Sequence, residues 1–184
     1  MKIALDLDDV IRDYVPAVIG VYNHRFNTEV QFDDIKTWDI INYMPKMGSL
    51  YGFMTQHPWI YDTVKPICGV KELMQQWRNE GHTIHILTRQ FKGFEYKACD
   101  WICKNELEYD TIIFAKDKSV FKADIFVDDN LTNFNMYRIE NQSSKSFLMS
   151  KPWNQHVDIE NRIYTLSEIL RYTNEPKHKS IRRI

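Results

Sequence analysis

IALDLDDVIRDY, residues 3 to 14, begins as an apolar run and ends in three carboxylates, Asp6, Asp8 and Asp9, with Asp13 close behind. So short an apolar run, stopped by charge, reads as a buried strand that finishes at a polar edge. The charge is the puzzle. Two unit charges about 4 Å apart repel by about 4 kcal/mol at an effective dielectric of about 20. Several carboxylates at one strand end therefore call for a cation. Asp6 and Asp8 are two apart, so along a strand their side chains share a face.

Four other short segments resemble the first. HTIHILT (82–88) ends at Thr88, TIIFA covers 111–115, ADIFVDD (123–129) ends in Asp128 and Asp129, and KSFLM covers 145–149. They are largely apolar rather than alternating, as strands covered on both faces are. Helical periodicity lies between them. Val70, Leu73, Met74 and Trp77 form a stripe over 69–80 that stops at Gly81. Phe94, Ala98, Trp101 and Ile102 form another over 94–106, and 166–172 reads as a last short helix. Strands alternating with helices predict an α/β fold, a Rossmann-like parallel sheet with flanking helices. Ligands of such sheets bind beyond the carboxyl ends of the strands. That edge receives Asp6, Asp8, Thr88, Asp128 and Asp129.

Residues 13–66 break the alternation. They hold no convincing strand but many aromatics, among them Tyr14, Tyr22, Phe26, Trp38, Tyr43, Tyr51, Phe53, Trp59 and Tyr61, punctuated by Pro16, Pro45, Pro58 and Pro66. The expected organisation is a catalytic core over 1–12 and 67–175, a small helical cap inserted at 13–66, and a solvated basic tail, PKHKSIRRI, at 176–184.

The chain has 184 residues, 43% hydrophobic and 27% charged, with a formal net charge of -1. Near-neutrality gives no general attraction to long nucleic acid or to an anionic membrane. Three cysteines, Cys68, Cys99 and Cys103, form no CxxC pair, which argues against a disulfide framework or zinc site, and Cys99 and Cys103, four apart on a predicted helix, read as buried thiols. The apolar run after Lys2 is cut too early for a signal peptide, and no stretch approaches the ~18 apolar residues of a membrane span. A cytoplasmic location is the expectation, and a homodimer is compatible with the sequence.

Each acid has an ordinary explanation. Asp favours turns at strand ends, Asp9 and Asp13 suit a helix cap, Thr88 suits a strand, and Lys118 suits a surface. Their combination is harder to dismiss. Oxygen-only ligands suit Mg²⁺, which takes one or two carboxylates and leaves room for water and phosphate. No His or Cys accompanies these acids, which argues against zinc.

These residues resemble a known family. DLDDV (6–10), preceded by IAL, is similar to the first motif of the haloacid dehalogenase superfamily. ILT (86–88), DKS (117–119) and IFVDD (125–129) resemble the second, third and fourth, in the same order. Within that superfamily DKSVFKADIFVDDN (117–130), KPICGVKEL (65–73) and KSFLMSKPWN (145–154) resemble the 5′(3′)-deoxyribonucleotidases.

The resemblance implies a Mg²⁺-dependent phosphomonoester hydrolase acting on nucleoside monophosphates through an aspartyl-phosphate. Asp6 would be the nucleophile and Asp8 the general acid and base. Thr88, Arg89 and Lys118 would bind the phosphate, with Lys97 as a rival for the lysine role. Asp6, the Asp8 backbone carbonyl and Asp129 would hold the metal, with Asp128 behind them. Tyr14 and Trp59 are the candidates for contact with the base. Arg89 departs from the small residue that many relatives carry after the Thr. The competing readings are a sugar-phosphate or polynucleotide 3′-phosphatase, a phosphoryl-accepting receiver module, and a catalytically silent binding protein.

Overall fold

Strand β1 (Lys2–Leu5) lies inside a six-stranded sheet whose other members are β2 (Thr83–Thr88), β3 (Thr111–Phe114), β4 (Ile125–Asp128), β5 (Lys145–Met149) and β6 (Arg162–Ile163). The order is β3-β2-β1-β4-β5-β6, and every pairing is parallel. The computed structural model describes residues 1–173, so the basic tail at 176–184 lies outside the described residues.

Successive strand residues serve opposite faces, as a period of two requires. Ile3, Leu5, Ile84, Ile86, Ile125 and Val127 belong to the main core. Ala4, Leu87 and Phe126 belong to a smaller one that Tyr137 completes, its ring stacked 3.8 Å from that of Phe126. On β1, β2, β4 and β5 both faces are largely buried, which is why these strands read as apolar runs, while the edge strand β3 is half-exposed.

The predicted periodic stretches form α4 (Val70–Asn79) and α5 (Glu95–Lys104), after three helices that come earlier in the chain. Val70, Leu73, Met74 and Trp77 are all buried. Gly81 ends the first stretch with φ +79, a conformation that costs glycine nothing. The last predicted helix begins as a 3₁₀ turn (Leu166–Ile169) and continues as α7 (Leu170–Thr173). An unforeseen helix, α6 (Leu131–Glu140), follows β4 and packs on β5.

Between β1 and α4, residues 14–63 form α1 (Tyr14–Phe26), α2 (Leu50–Gln56), α3 (Ile60–Thr63) and three 3₁₀ turns, with no strand. Tyr22 and Phe53 are buried there, and the rings of Tyr22, Phe26, Phe53 and His57 form a chain of aromatic contacts.

One expectation fails. Cys99 and Cys103 are not buried thiols: Cys103 is exposed and Cys99 half-exposed, and Cys68 is exposed as well. Cys103 lies on the outer side of α5, whose buried face is taken by Ala98, Trp101 and Ile102. Cys68 precedes α4 in an exposed turn. Among the described residues no helix is long and apolar enough to cross a membrane.

Candidate active site

The chain runs outward from β1 through β2 to β3, then returns to the other side of β1 to form β4. The β1/β4 boundary is thus the topological switch point, where an open α/β sheet has its crevice. Leu5 is in register with both Ile86 and Val127. The three strands therefore deliver Asp6, Thr88, Asp128 and Asp129 to one edge.

Asp6, Thr88, Lys118, Asp128 and Asp129 are all buried. The Lys118 Nζ lies 2.6 Å from Asp6 Oδ1 and 2.7 Å from Asp128 Oδ2. Both hydrogen bonds to the Asp6 carboxylate fall on Oδ1, the second from the Leu7 N–H at 2.8 Å. Asp128 is fully engaged: it also accepts from the Asn130 N–H at 2.8 Å and from the Asn133 amide at 3.2 Å. Asp129 differs. Its Oδ2 accepts the Trp153 indole N–H at 3.1 Å, while its buried Oδ1 has no hydrogen-bond partner among the described residues. Oxygens of Asp6, Asp128 and Asp129 lie within 4.8 Å of one another, so the three acids form a candidate metal site. An orphaned carboxylate oxygen in an all-oxygen cluster suits a hard cation.

The electrostatics agree with that need. Burial, helped by the charges of Asp128 and Asp8, outweighs Lys118 and pushes the Asp6 carboxyl up to about 7. Burial and the neighbouring acids Asp128, Asp6 and Asp9 raise Asp129 well above the usual carboxylate range. Burial works against the charge on Lys118, but Asp128 and Asp6 outweigh it and the ammonium is held more firmly than usual.

Asp8 stands apart from this cluster, partly exposed. Its Oδ1 accepts from the Arg12 Nε at 2.6 Å and its Oδ2 from the Gln90 amide at 2.9 Å. Gln90 also donates to the Thr88 hydroxyl at 2.8 Å. Asp9 takes the left-handed conformation at φ 59, which Asp tolerates better than most residues. Its carboxylate accepts the Val15 N–H and so caps α1, whereas the Asp13 side chain makes no cap bond. Burial, aided by Asp8, raises Asp9 to about 8 against the pull of Lys151.

A cleft of about 460 Å³ opens beside these acids, lined by Asp8, Asp9, Tyr14, Trp38, Tyr61, Arg89, Gln90, Phe91 and Trp153, among others. Tyr14 is thus in the cleft wall and Arg89 is exposed beside it. Trp59 is not part of that lining; it is exposed beside His57, with ring centroids 6.2 Å apart. Lys97 is occupied elsewhere, 3.2 Å from Asp62.

Sequence reasoning missed Arg12, Gln90, Trp38 and Trp153. For Arg12 a signal was present, since it stands four residues after Asp8. The Pro152–Asn154 turn was singled out, but not its grip on the acids: Trp153 holds the Asp129 carboxylate and the Asn154 amide donates to the Asp129 carbonyl at 2.8 Å.

Solved structures share the fold. A haloacid dehalogenase-like hydrolase of Streptococcus pneumoniae superposes with a TM-score of 0.63 at 12% identity, covering 93% of this chain and 97% of that one. YfnB of Bacillus subtilis, a HAD-type protein solved bound to magnesium, gives 0.62 at 13% identity, covering 94% and 98%. Sequence relatives are more specific. A 5′(3′)-deoxyribonucleotidase of Clostridium acetobutylicum is 26% identical over 170 residues, 82% of this chain and 89% of its own length. A 5′(3′)-deoxyribonucleotidase of Bacillus subtilis is 25% identical over 178 residues, covering 92% and 96%. The family model for 5′ nucleotidase, deoxy (pyrimidine), cytosolic type C protein matches residues 1–173. The matched segment holds all four motifs, both sides of the cleft and every acid of the cluster, and the chain belongs to this family of nucleotidases.

Proposed function

We propose that the protein hydrolyses deoxyribonucleoside monophosphates in the cytoplasm, with Mg²⁺, through a phosphorylated Asp6. The observation that carries this reading is the convergence of Asp6, Lys118 and the orphaned Asp129 Oδ1, on the same loop and strand ends as the Asp8 and Trp153 that line an aromatic cleft.

Asp6 attacks phosphorus with Oδ2, since Oδ1 carries both of its hydrogen bonds. The P–O ester bond breaks as Asp8 gives a proton to the departing sugar oxygen. Asp8, now a carboxylate, takes a proton from water as that water attacks the aspartyl-phosphate, and phosphate and free Asp6 result. Lys118 offsets the charge of Asp6 and of the phosphoryl group, and Thr88 and Arg89 bind phosphoryl oxygens. The Asp6 carboxylate, the Asp8 carbonyl and Asp129 would hold the metal, with Asp128 orienting Lys118 from behind. Bound there, Mg²⁺ supplies positive charge against the carboxylates and the transferring phosphoryl group.

The helical segment between β1 and α4 serves as a cap over the site. Tyr14 and Tyr61 form one wall of the cleft, and Trp38 and Trp153, 6.1 Å apart and edge-to-face, form another. Flat aromatic walls above a phosphate site suit a nucleobase.

The test is phosphate release from deoxy- and ribonucleoside monophosphates and from sugar phosphates, with Mg²⁺, with chelator, and with Asp6→Asn. Mg²⁺-dependent turnover that favours deoxynucleotides and vanishes in the variant supports the reading. Turnover of sugar phosphates alone removes the substrate assignment, and equal turnover by Asp6→Asn removes the mechanism.

A further inference from the structure

Arg12 is completely buried, yet among the described residues the only nitrogen of its guanidinium with a hydrogen-bond partner is Nε, which donates to Asp8 Oδ1 at 2.6 Å. Nη1 and Nη2 have none. The guanidinium lies instead among three rings, with Cζ 5.7 Å from the Tyr14 centroid and 5.3 Å from those of Tyr61 and Trp101. A desolvated cation gains from aromatic faces, but two unpaired NH₂ groups are costly, and an apolar side chain of the same volume would serve stability as well or better. What an apolar residue could not do is hold Asp8.

The other oxygen of Asp8 is held too. A carboxylate only accepts, so the Gln90 amide must turn its NH₂ toward it. One proton of that NH₂ goes to Asp8 Oδ2 at 2.9 Å and the other to the Thr88 Oγ at 2.8 Å. Having accepted from Gln90, the Thr88 hydroxyl keeps its own proton for a phosphoryl oxygen. Gln90 lines the cleft while Arg12 is sealed behind it, so Oδ2 is the Asp8 oxygen on the substrate side.

We propose that Arg12 and Gln90 are positioning residues that clamp the Asp8 carboxylate between them, and that the Tyr14–Tyr61–Trp101 box sets the angle of that clamp. The inference rests on the hydrolytic reading above and adds to it the residues that aim the general acid and base. Tyr14 and Tyr61 belong both to the cleft wall and to the box. The surface that seats the substrate is thereby the surface that fixes Arg12, and through it Asp8. Arg12 is also built into the loop itself: its carbonyl accepts the Asp9 N–H at 2.7 Å and its N–H donates to the Leu7 carbonyl at 3.1 Å.

The experiment compares wild type, Arg12→Met and Gln90→Ala with Mg²⁺, on a deoxynucleoside monophosphate and on p-nitrophenyl phosphate, with stopped-flow detection of nitrophenolate. Nitrophenolate departs without a proton, so with that substrate a misaimed Asp8 shows in the second step, hydrolysis of the aspartyl-phosphate. The expected result is a loss in kcat of ~100-fold for Arg12→Met and ~10-fold for Gln90→Ala on the nucleotide, with KM within about threefold. On the nitrophenyl ester both variants give a burst of one nitrophenolate per enzyme followed by slow turnover. Should Arg12→Met fail to fold by near-ultraviolet circular dichroism, half-exposed Gln90 carries the test alone. Variants that keep wild-type kcat, or lose only KM, and show no burst overturn the clamp. A wild type inactive on every phosphomonoester overturns the hydrolytic reading itself, and does so before any variant is compared.

Discussion

The indole N–H of Trp153 reaches across 24 residues to grip Asp129 Oδ2 at 3.1 Å, leaving Oδ1 buried and unshared. A turn after β5 thus decides how an acid at the end of β4 presents itself. Trp153→Phe keeps the ring and removes the hydrogen bond. The expected outcome is a Mg²⁺ requirement raised ~10- to 100-fold, the usual cost of losing a partner behind a metal ligand. Activity titrated against Mg²⁺ reads this directly; an unchanged half-saturating concentration would leave the indole without that role.

Lys118 lies between two buried carboxylates, so its removal strands both. Lys118→Met should lower stability by about 3–5 kcal/mol in the metal-free protein, and kcat by at least about 100-fold. Lys97→Ala should change kcat by less than about twofold, because Lys97 bonds the exposed Asp62 and an exposed pair is worth ~1 kcal/mol or less. Denaturant midpoints and turnover on the same samples test both statements. A dead Lys97→Ala with an active Lys118→Met would exchange the two roles.

Acidity and metal are linked. In the metal-free chain Asp6 and Asp9 keep their protons to about 7 and about 8, against 3.8 for an ordinary Asp, first because they are buried. Between those limits the folded chain holds protons the unfolded chain has already lost, so metal-free stability falls as pH rises from about 4 to 8. A metal ligand must be deprotonated, so Mg²⁺ binding competes with the proton. Thermal melts with chelator and with saturating Mg²⁺ should show a larger metal-induced rise in Tm at pH 8 than at pH 5. An equal rise at both would sever the link.

Trp38 is 56% exposed, so Trp38→Ala should cost little stability, within about 0.5 kcal/mol. It lines the cleft, so KM for nucleotides should rise several-fold and the ranking of bases should shift. Trp59→Ala should leave both unchanged. Steady-state kinetics on four deoxynucleoside monophosphates decides. An unaltered ranking in Trp38→Ala with an altered one in Trp59→Ala would restore Trp59 as the contact with the base.

Five of the six strands were legible in the sequence because each is a short apolar run, and at β1, β2, β4 and β5 both faces are largely buried. Helix α6 was not, because Met136 and Ile139 are exposed, so its apolar residues mark no single face. Two-residue β6 is too short to leave a pattern. The acids were legible because they directly follow strand ends. The residues that aim them were not, since Gln90 meets Asp8 from 82 residues away, and Arg12 finds its aromatic box in rings scattered along the chain from Tyr14 to Trp101. Trp59 looked suitable by residue type and neighbourhood alone, and spacing says nothing of which side of a small helical segment faces the sheet.

Strand β1 is made first yet completed late. One neighbour, β2, begins at residue 83, and the other, β4, only at residue 125. Lys2 itself is held by Asp124, 122 positions away. Closure over such separations is slow, and until it happens β1 is an apolar edge with unpaired backbone groups. A chain emerging from the ribosome therefore carries this apolar segment for more than a hundred residues of synthesis before its second partner strand exists. Asp6, at the tip of that strand, sets a charge where such an edge would otherwise be wholly apolar, one of the ways edges are kept from pairing wrongly.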